Sequence, residues 1–158
     1  MSPRDQFAIL PSGEIRINDR PLIDLVREIE LPFAQEEYNE RNTMGENLRK
    51  VDLIAGDYSY LPPWMVMFPS KHLLDEPYRI AEEGFILKPE DSRRGKTTIL
   101  GCTCGIIECW FLLARISLTE TTVTWSDFQQ FHRDWWTYNL GSFIFARQDY
   151  ELQLRGTF

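Results

Sequence analysis

Three cysteines fall within eight residues, at Cys102, Cys104 and Cys109, and the chain has no others. In an extended stretch Cys102 and Cys104 project to the same side, and the four residues between Cys104 and Cys109 suffice for a turn that returns the third sulfur. Three thiolates and one imidazole would meet zinc's tetrahedral preference, with His132 or His72 as the fourth ligand. The same sulfurs could do redox chemistry, as a Cys102–Cys104 disulfide or through one activated thiolate. A third reading needs no chemistry: free cysteine packs as a small hydrophobe, and Gly101 and Gly105 permit a tight return into a strand starting at Trp110. The paired Cys-x-x-Cys signature is absent, so structural thiols are expected, with metal and redox roles as alternatives.

A second cluster is the run from Phe131 through His132, Arg133, Asp134, Trp135, Trp136 and Thr137 to Tyr138. An imidazole near an acid and a cation can move protons or grip an anion, and aromatics can line the walls of a pocket. The competing reading is a hydrogen-bonded corner in which a guanidinium stacks on indoles. No third orienting group can be named from spacing, so a catalytic role is not assigned. The segment Gly95-Lys96-Thr97 has the ending of a phosphate-binding loop but carries Glu90 where the loop needs its first glycine. It reads as a basic surface loop with Arg93 and Arg94, facing either an acidic partner or the chain's own carboxylates. Glu28, Glu30, Glu36, Glu37 and Glu40 read as a solvated acidic face, of the sign that inhibitor and immunity proteins use to cover basic partners.

The elements that must position these groups follow from periodicity. Residues 7–10 and 14–18 flank Pro11-Ser12-Gly13 and predict a small hairpin. Asn18 or Asp19 is expected to cap a helix with Pro21 in its first turn, and Leu22, Leu25, Val26 and Ile29 form its apolar stripe. Pro32 is expected to end that helix, with a second acidic turn over 34–41. Residues 51–54 and 64–68 look strand-like, 70–74 a helical turn, 91–96 a polar loop and 97–101 a strand. Over 110–118 apolar residues alternate, with Trp110, Leu112, Ala114, Ile116 and Leu118 on one face. Thr121, Val123 and Trp125 continue the pattern and make a hairpin. Ser126 or Asp127 is expected to cap a helical turn holding Phe128. A strand over 143–145 and a final helix or frayed end over 147–154 close the chain. The sum is an α+β fold, a mainly antiparallel sheet with a few short helices, in a single domain over residues 1–158.

Composition narrows the function. With 43% hydrophobic residues the chain can build a core, and its net charge of −7 argues against nucleic acid or an anionic membrane surface as a partner. No apolar run approaches the roughly 20 residues that span a bilayer. The first residues carry no secretory pattern, so a cytoplasmic location is expected. An ordered series of motifs occupies residues 99–154: GCxCG at Gly101, Cys109-Trp110, Leu113-Ala114-Arg115-Ile116, Val123-x-Trp125, Phe128-x-Gln130-x-His132-Arg133, Trp136-x-Tyr138, Leu140-Gly141-x-Phe143-x-Phe145 and Tyr150-Glu151. The series resembles a family of short, functionally uncharacterised bacterial proteins, and departs from it at Phe111, Phe131 and Ser142, where prolines are expected. The resemblance implies no activity. The residues therefore point to a non-catalytic binding module for a basic protein partner, possessing an immunity- or inhibitor-like acidic surface. His132, Arg133, Trp135, Trp136 and Tyr138 are its expected contacts. The alternative is a zinc-binding or thiol-dependent enzyme using Cys102, Cys104, Cys109 and His132.

Overall fold

The computed structural model describes residues 4–43, 54–79 and 85–156. Strands β1 (Phe7–Ile9) and β2 (Ile15–Ile17) form the expected hairpin. Asn18 and Asp19, expected as a helix cap, instead adopt left-handed conformations at φ 52° and 66°. Two such residues make the tight turn that hairpins favour, and it leads into β3 (Arg20–Pro21), which pairs back on β2. Pro21 thus lies in the strand just before helix α1 (Leu22–Thr43).

Helix α1 runs through Pro32, contrary to the expected break. Pro32 and Glu28 both lie on the exposed side, where water can satisfy the Glu28 carbonyl that the proline leaves unpaired. On the other side Leu22, Val26, Glu30 and Ala34 are all fully buried. That i, i+4 stripe anchors the helix on both sides of the proline. The strand-like stretch 51–54 lies outside the described residues except for Ile54. Residues 64–68 are not a strand: a short helix α2 (Pro63–Val66) starts there, with Pro63 at a position that needs no donor.

The larger sheet is a five-stranded antiparallel meander: β4 (Tyr58–Tyr60), β5 (Thr97–Cys102), β6 (Leu112–Leu118), β7 (Thr122–Gln130) and β8 (Phe143–Ala146) in that spatial order. A 3₁₀ turn (Ile107–Cys109) links β5 to β6. Helix α3 (Arg147–Arg155) follows β8, as expected. The helical turn expected at Ser126 or Asp127 is instead a bulge in β7. Leu113 pairs with Gln129 and Arg115 with Ser126, so β7 carries one extra residue, and Asp127 takes φ 52° to accommodate it. The bulge resets side-chain alternation: Val123 and Trp125 face the main core before it, and Phe128 does so after it.

That core joins both sheets. Phe7 lies 5.7 Å from Trp125, 5.4 Å from Phe145 and 4.4 Å from Tyr150, ring centre to ring centre. The polar tips are matched. Trp125 Nε1 donates to Tyr150 Oη at 3.2 Å, and Tyr150 donates to the Leu73 carbonyl at 2.5 Å. The opposite face of β6 carries a second cluster of Phe111, Leu113 and Phe131, covered by Phe85 and Leu87. The fold is α+β, with two antiparallel sheets and helices, and among the described residues no helix is long and apolar enough to cross a membrane.

Candidate functional site

Pairing of β6 with β7 places the end of β7 beside the start of β6, with Leu112 opposite Gln130. The sulfur-bearing bend before β6 and the His132 segment after β7 are therefore neighbours. His132 Nε2 lies 2.7 Å from the Glu108 carbonyl. A carbonyl only accepts, so Nε2 carries the proton. The His132 backbone N–H donates to Gln130 Oε1 at 2.6 Å. His72 is likewise structural: Nε2 donates to the Thr98 carbonyl at 2.7 Å and Nδ1 accepts from the Tyr78 N–H at 3.0 Å. Both ring nitrogens serve in the neutral form, and burial pushes its pKa down.

Cys104 and Cys109 are exposed and Cys102 is half-buried; the Cys104 N–H donates to Cys102 Sγ at 3.5 Å, and the Cys104 thiol donates to the Ile106 carbonyl at 3.7 Å. Among the described residues no group of three His, Cys, Asp or Glu side chains is arranged to hold a metal ion. The His132 nitrogen facing the bend is the one bonded to Glu108.

Arg133 forms the corner that the stacking alternative describes. Its guanidinium reaches back to helix α1 and donates to both Glu37 carboxylate oxygens, at 3.0 and 3.2 Å, while Nη1 donates to the His132 carbonyl at 3.0 Å. It also lies over the rings of Trp110 and Trp135, at 4.9 and 5.5 Å from their centres. The clamp ties residues 131–138 to the helix. Next to it Trp136 is buried at 2% exposure, whereas Trp135 stands 61% exposed.

Glu30 lies beneath this corner, and sequence reasoning placed it on the solvated face. It is fully buried. Its Oε1 accepts the Gly56 N–H at 2.8 Å, and its Oε2 accepts the Tyr58 hydroxyl at 2.6 Å and the Tyr138 hydroxyl in a very short hydrogen bond. Burial pushes the carboxyl's pKa up against the opposing pull of those donors. Burial raises both tyrosines as well, and the Glu30 charge adds to it. Tyr138 is therefore a strut holding the loop to α1. The signal was present in the sequence: Leu22 and Val26 continue by fours to Glu30 and Ala34. Gly56 must be glycine here, since its φ is +66° and a Cβ would lie 2.6 Å from Arg27 Cβ.

The basic loop turns inward on its own chain. Arg93 pairs with Asp91 at 2.7 Å and lies 4.3 Å from the centre of the Phe131 ring; its hydrogen bonds hold the Asp91 carboxyl at about 2. Arg94 donates to the Leu87 carbonyl at 3.0 Å and Lys96 to Gln129 Oε1 at 2.7 Å.

One cleft opens between helix α1 and the loop. It holds about 260 Å³ and is lined by Phe33, Glu36, Glu37, Glu40, Trp135 and Trp136. Glu37 is held by Arg133, but Glu36 and Glu40 are exposed and form no ion pair among the described residues. The Trp136 Nε1, buried, has no hydrogen-bond partner among them. Acidic groups on one wall and aromatic faces on the others suit a cation.

These features define an acidic α+β protein with an aromatic cleft. Compared with known proteins, the chain matches no family model, no curated protein and no solved structure. The resemblance of residues 99–154 to short bacterial proteins rests on the motif series alone.

Proposed function

We propose that the protein is a non-catalytic binding module, and that the cleft between α1 and the 131–138 loop receives a lysine- or arginine-bearing segment of a basic protein partner. The observation that carries this reading is the cleft itself. Two carboxylates without ion-pair partners among the described residues, Glu36 and Glu40, line the same space as Phe33 and the exposed indole of Trp135. A desolvated cation over an aromatic face gains about 0.5–2 kcal/mol, and the carboxylates add attraction that salt screens. The net charge of −7 steers basic partners toward the surface as a whole.

The five contacts expected from sequence take unequal parts. Trp135 and Trp136 line the cleft, Arg133 and Tyr138 hold the loop in place, and His132 fixes it to the 3₁₀ turn. Titrating the protein with a lysine-rich peptide while following tryptophan fluorescence tests the reading. Saturable, salt-sensitive binding is expected, weakened roughly threefold to thirtyfold by Trp135→Ala. Glu36→Gln combined with Glu40→Gln should weaken it and flatten its salt dependence. Binding that survives all three substitutions unchanged would refute the cleft as the site.

A further inference from the structure

We propose that the cavity between the 91–96 loop, the bulge of β7 and the 137–142 loop binds a small hydroxycarboxylate, whose carboxylate rests on Lys96 and Arg115. The strand register makes the site. Thr97 pairs with Ala114, so Lys96, one residue before β5, lies beside Arg115, one residue further along β6. Arg115 in turn pairs with Ser126 on β7, next to the bulge at Asp127, and Gln129 follows that bulge. Bulges re-aim side chains in this way beside binding sites. The cavity they border holds about 630 Å³, enough for a small metabolite. It shares Trp136 with the cleft beside α1, but not Trp135 or the α1 glutamates.

Lys96 is the member that calls for a ligand. It is only 9% exposed, and lysine is almost never buried without a charged partner. Its ammonium donates to Gln129 Oε1 at 2.7 Å, and Gln129 is held in that orientation by Nε2 donating to Ser92 Oγ at 3.0 Å. That acceptor is neutral, and among the described residues no carboxylate lies within ion-pair distance of Lys96. The aspartates whose charge it feels are already engaged. Arg93 donates to both oxygens of Asp91, at 2.9 and 2.7 Å, and Asp127 accepts from Arg115 Nε at 3.2 Å. Burial, and after it the Arg115 charge, pushes the Lys96 pKa down. Each of those ion pairs is balanced within itself. Lys96 is left as a buried cation without a counter-ion, and a bound carboxylate supplies one. Arg115 commits only Nε to Asp127, so its Nη groups can share the load.

The rest of the wall selects among anions. Asp134 lines the cavity and is exposed to water. With Asp127 it equals Lys96 and Arg115 in charge, so a singly charged carboxylate fits where a doubly charged phosphate is repelled. Ser92, Thr137 and Asn139 present hydroxyl and amide groups to the remainder of the ligand, which matches a hydroxyl-bearing acid.

The test follows the lysine ε-carbons by NMR in the full chain labelled with carbon-13 lysine. Sodium L-lactate is titrated in against sodium chloride at constant ionic strength. The Lys96 signal is the one missing from Lys96→Met, or from Lys96→Arg where the first variant folds poorly. The expected result is a saturable movement of that signal alone. Its titration midpoint should also rise in lactate, because a bound anion favours the charged amine. Arg115→Gln should weaken the effect by about tenfold or more, and inorganic phosphate should bind less tightly than lactate. Glu36→Gln combined with Glu40→Gln should leave lactate binding unchanged, so this site and the α1 cleft stand or fall separately. Equal movement of every lysine signal, a Lys96 signal indifferent to lactate, or tighter binding of phosphate would overturn the assignment.

Discussion

Replacing Glu30 by alanine should be among the most damaging single changes available to this chain. The substitution leaves three donors without their acceptor: the Gly56 N–H and the hydroxyls of Tyr58 and Tyr138. A buried donor left unsatisfied costs about 1–3 kcal/mol, which gives a gross loss of about 3–9 kcal/mol. Relief from holding a carboxyl in a fully buried place offsets part of this, so a net loss of about 3–5 kcal/mol is expected. For a domain of ordinary stability, roughly 5–15 kcal/mol, that is a large fraction. Urea unfolding followed by tryptophan fluorescence measures it. Glu30→Gln keeps the shape and part of the bonding, and isolates the charge. Because burial raises the folded-state pKa, Glu30 contributes stability that is fully present below its unfolded value of 4.5 and is lost as pH rises through the folded value. The advantage of wild type over Glu30→Gln should therefore be largest near pH 4.5 and shrink toward neutrality. An advantage that grows with pH would mean that the tyrosine hydroxyls outweigh burial and keep the carboxyl ionised. A loss below about 1 kcal/mol in Glu30→Ala would refute the claim that this carboxyl organises the corner.

Arg133→Lys replaces a forked donor stacked between two indoles with a point charge, and should cost about 1–2 kcal/mol in urea unfolding. The same variant should weaken binding of the lysine-rich peptide indirectly, by loosening Trp135. Gly56→Ala forces a Cβ against Arg27 at a left-handed residue, and thermal unfolding should show a loss of about 2 kcal/mol or more.

The first hairpin, the strands β5, β6 and β8, the first part of β7 up to Trp125 and the last helix were legible because each rests on local periodicity. Alternation over 110–118 and 121–125 marks half-buried strands whichever partner they meet, and a glycine or proline marks most of their ends. The neighbouring positions of the cysteine bend and His132 also followed, since a hairpin returns its far end to its start. The acidic helix shows where local reading stops. Its composition names Glu30, Glu36, Glu37 and Glu40 as alike, yet Glu30 is buried among hydroxyls, Glu37 is clamped by Arg133, and Glu36 and Glu40 line a cleft. Pro32 and Asp127 carried breaking signals that the packed fold absorbed as an exposed helix site and a bulge. The sequence by itself determined which segments were amphipathic and where sulfur, imidazole and indole lay along the chain. Only the tertiary structure decided which of those groups were left free to act. A carboxylate or guanidinium is an internal strut or a contact for a ligand according to what lies across from it, and the hydrogen-bond partners of Glu30 and the carboxylate partner of Arg133 lie 26 to 108 residues away along the chain.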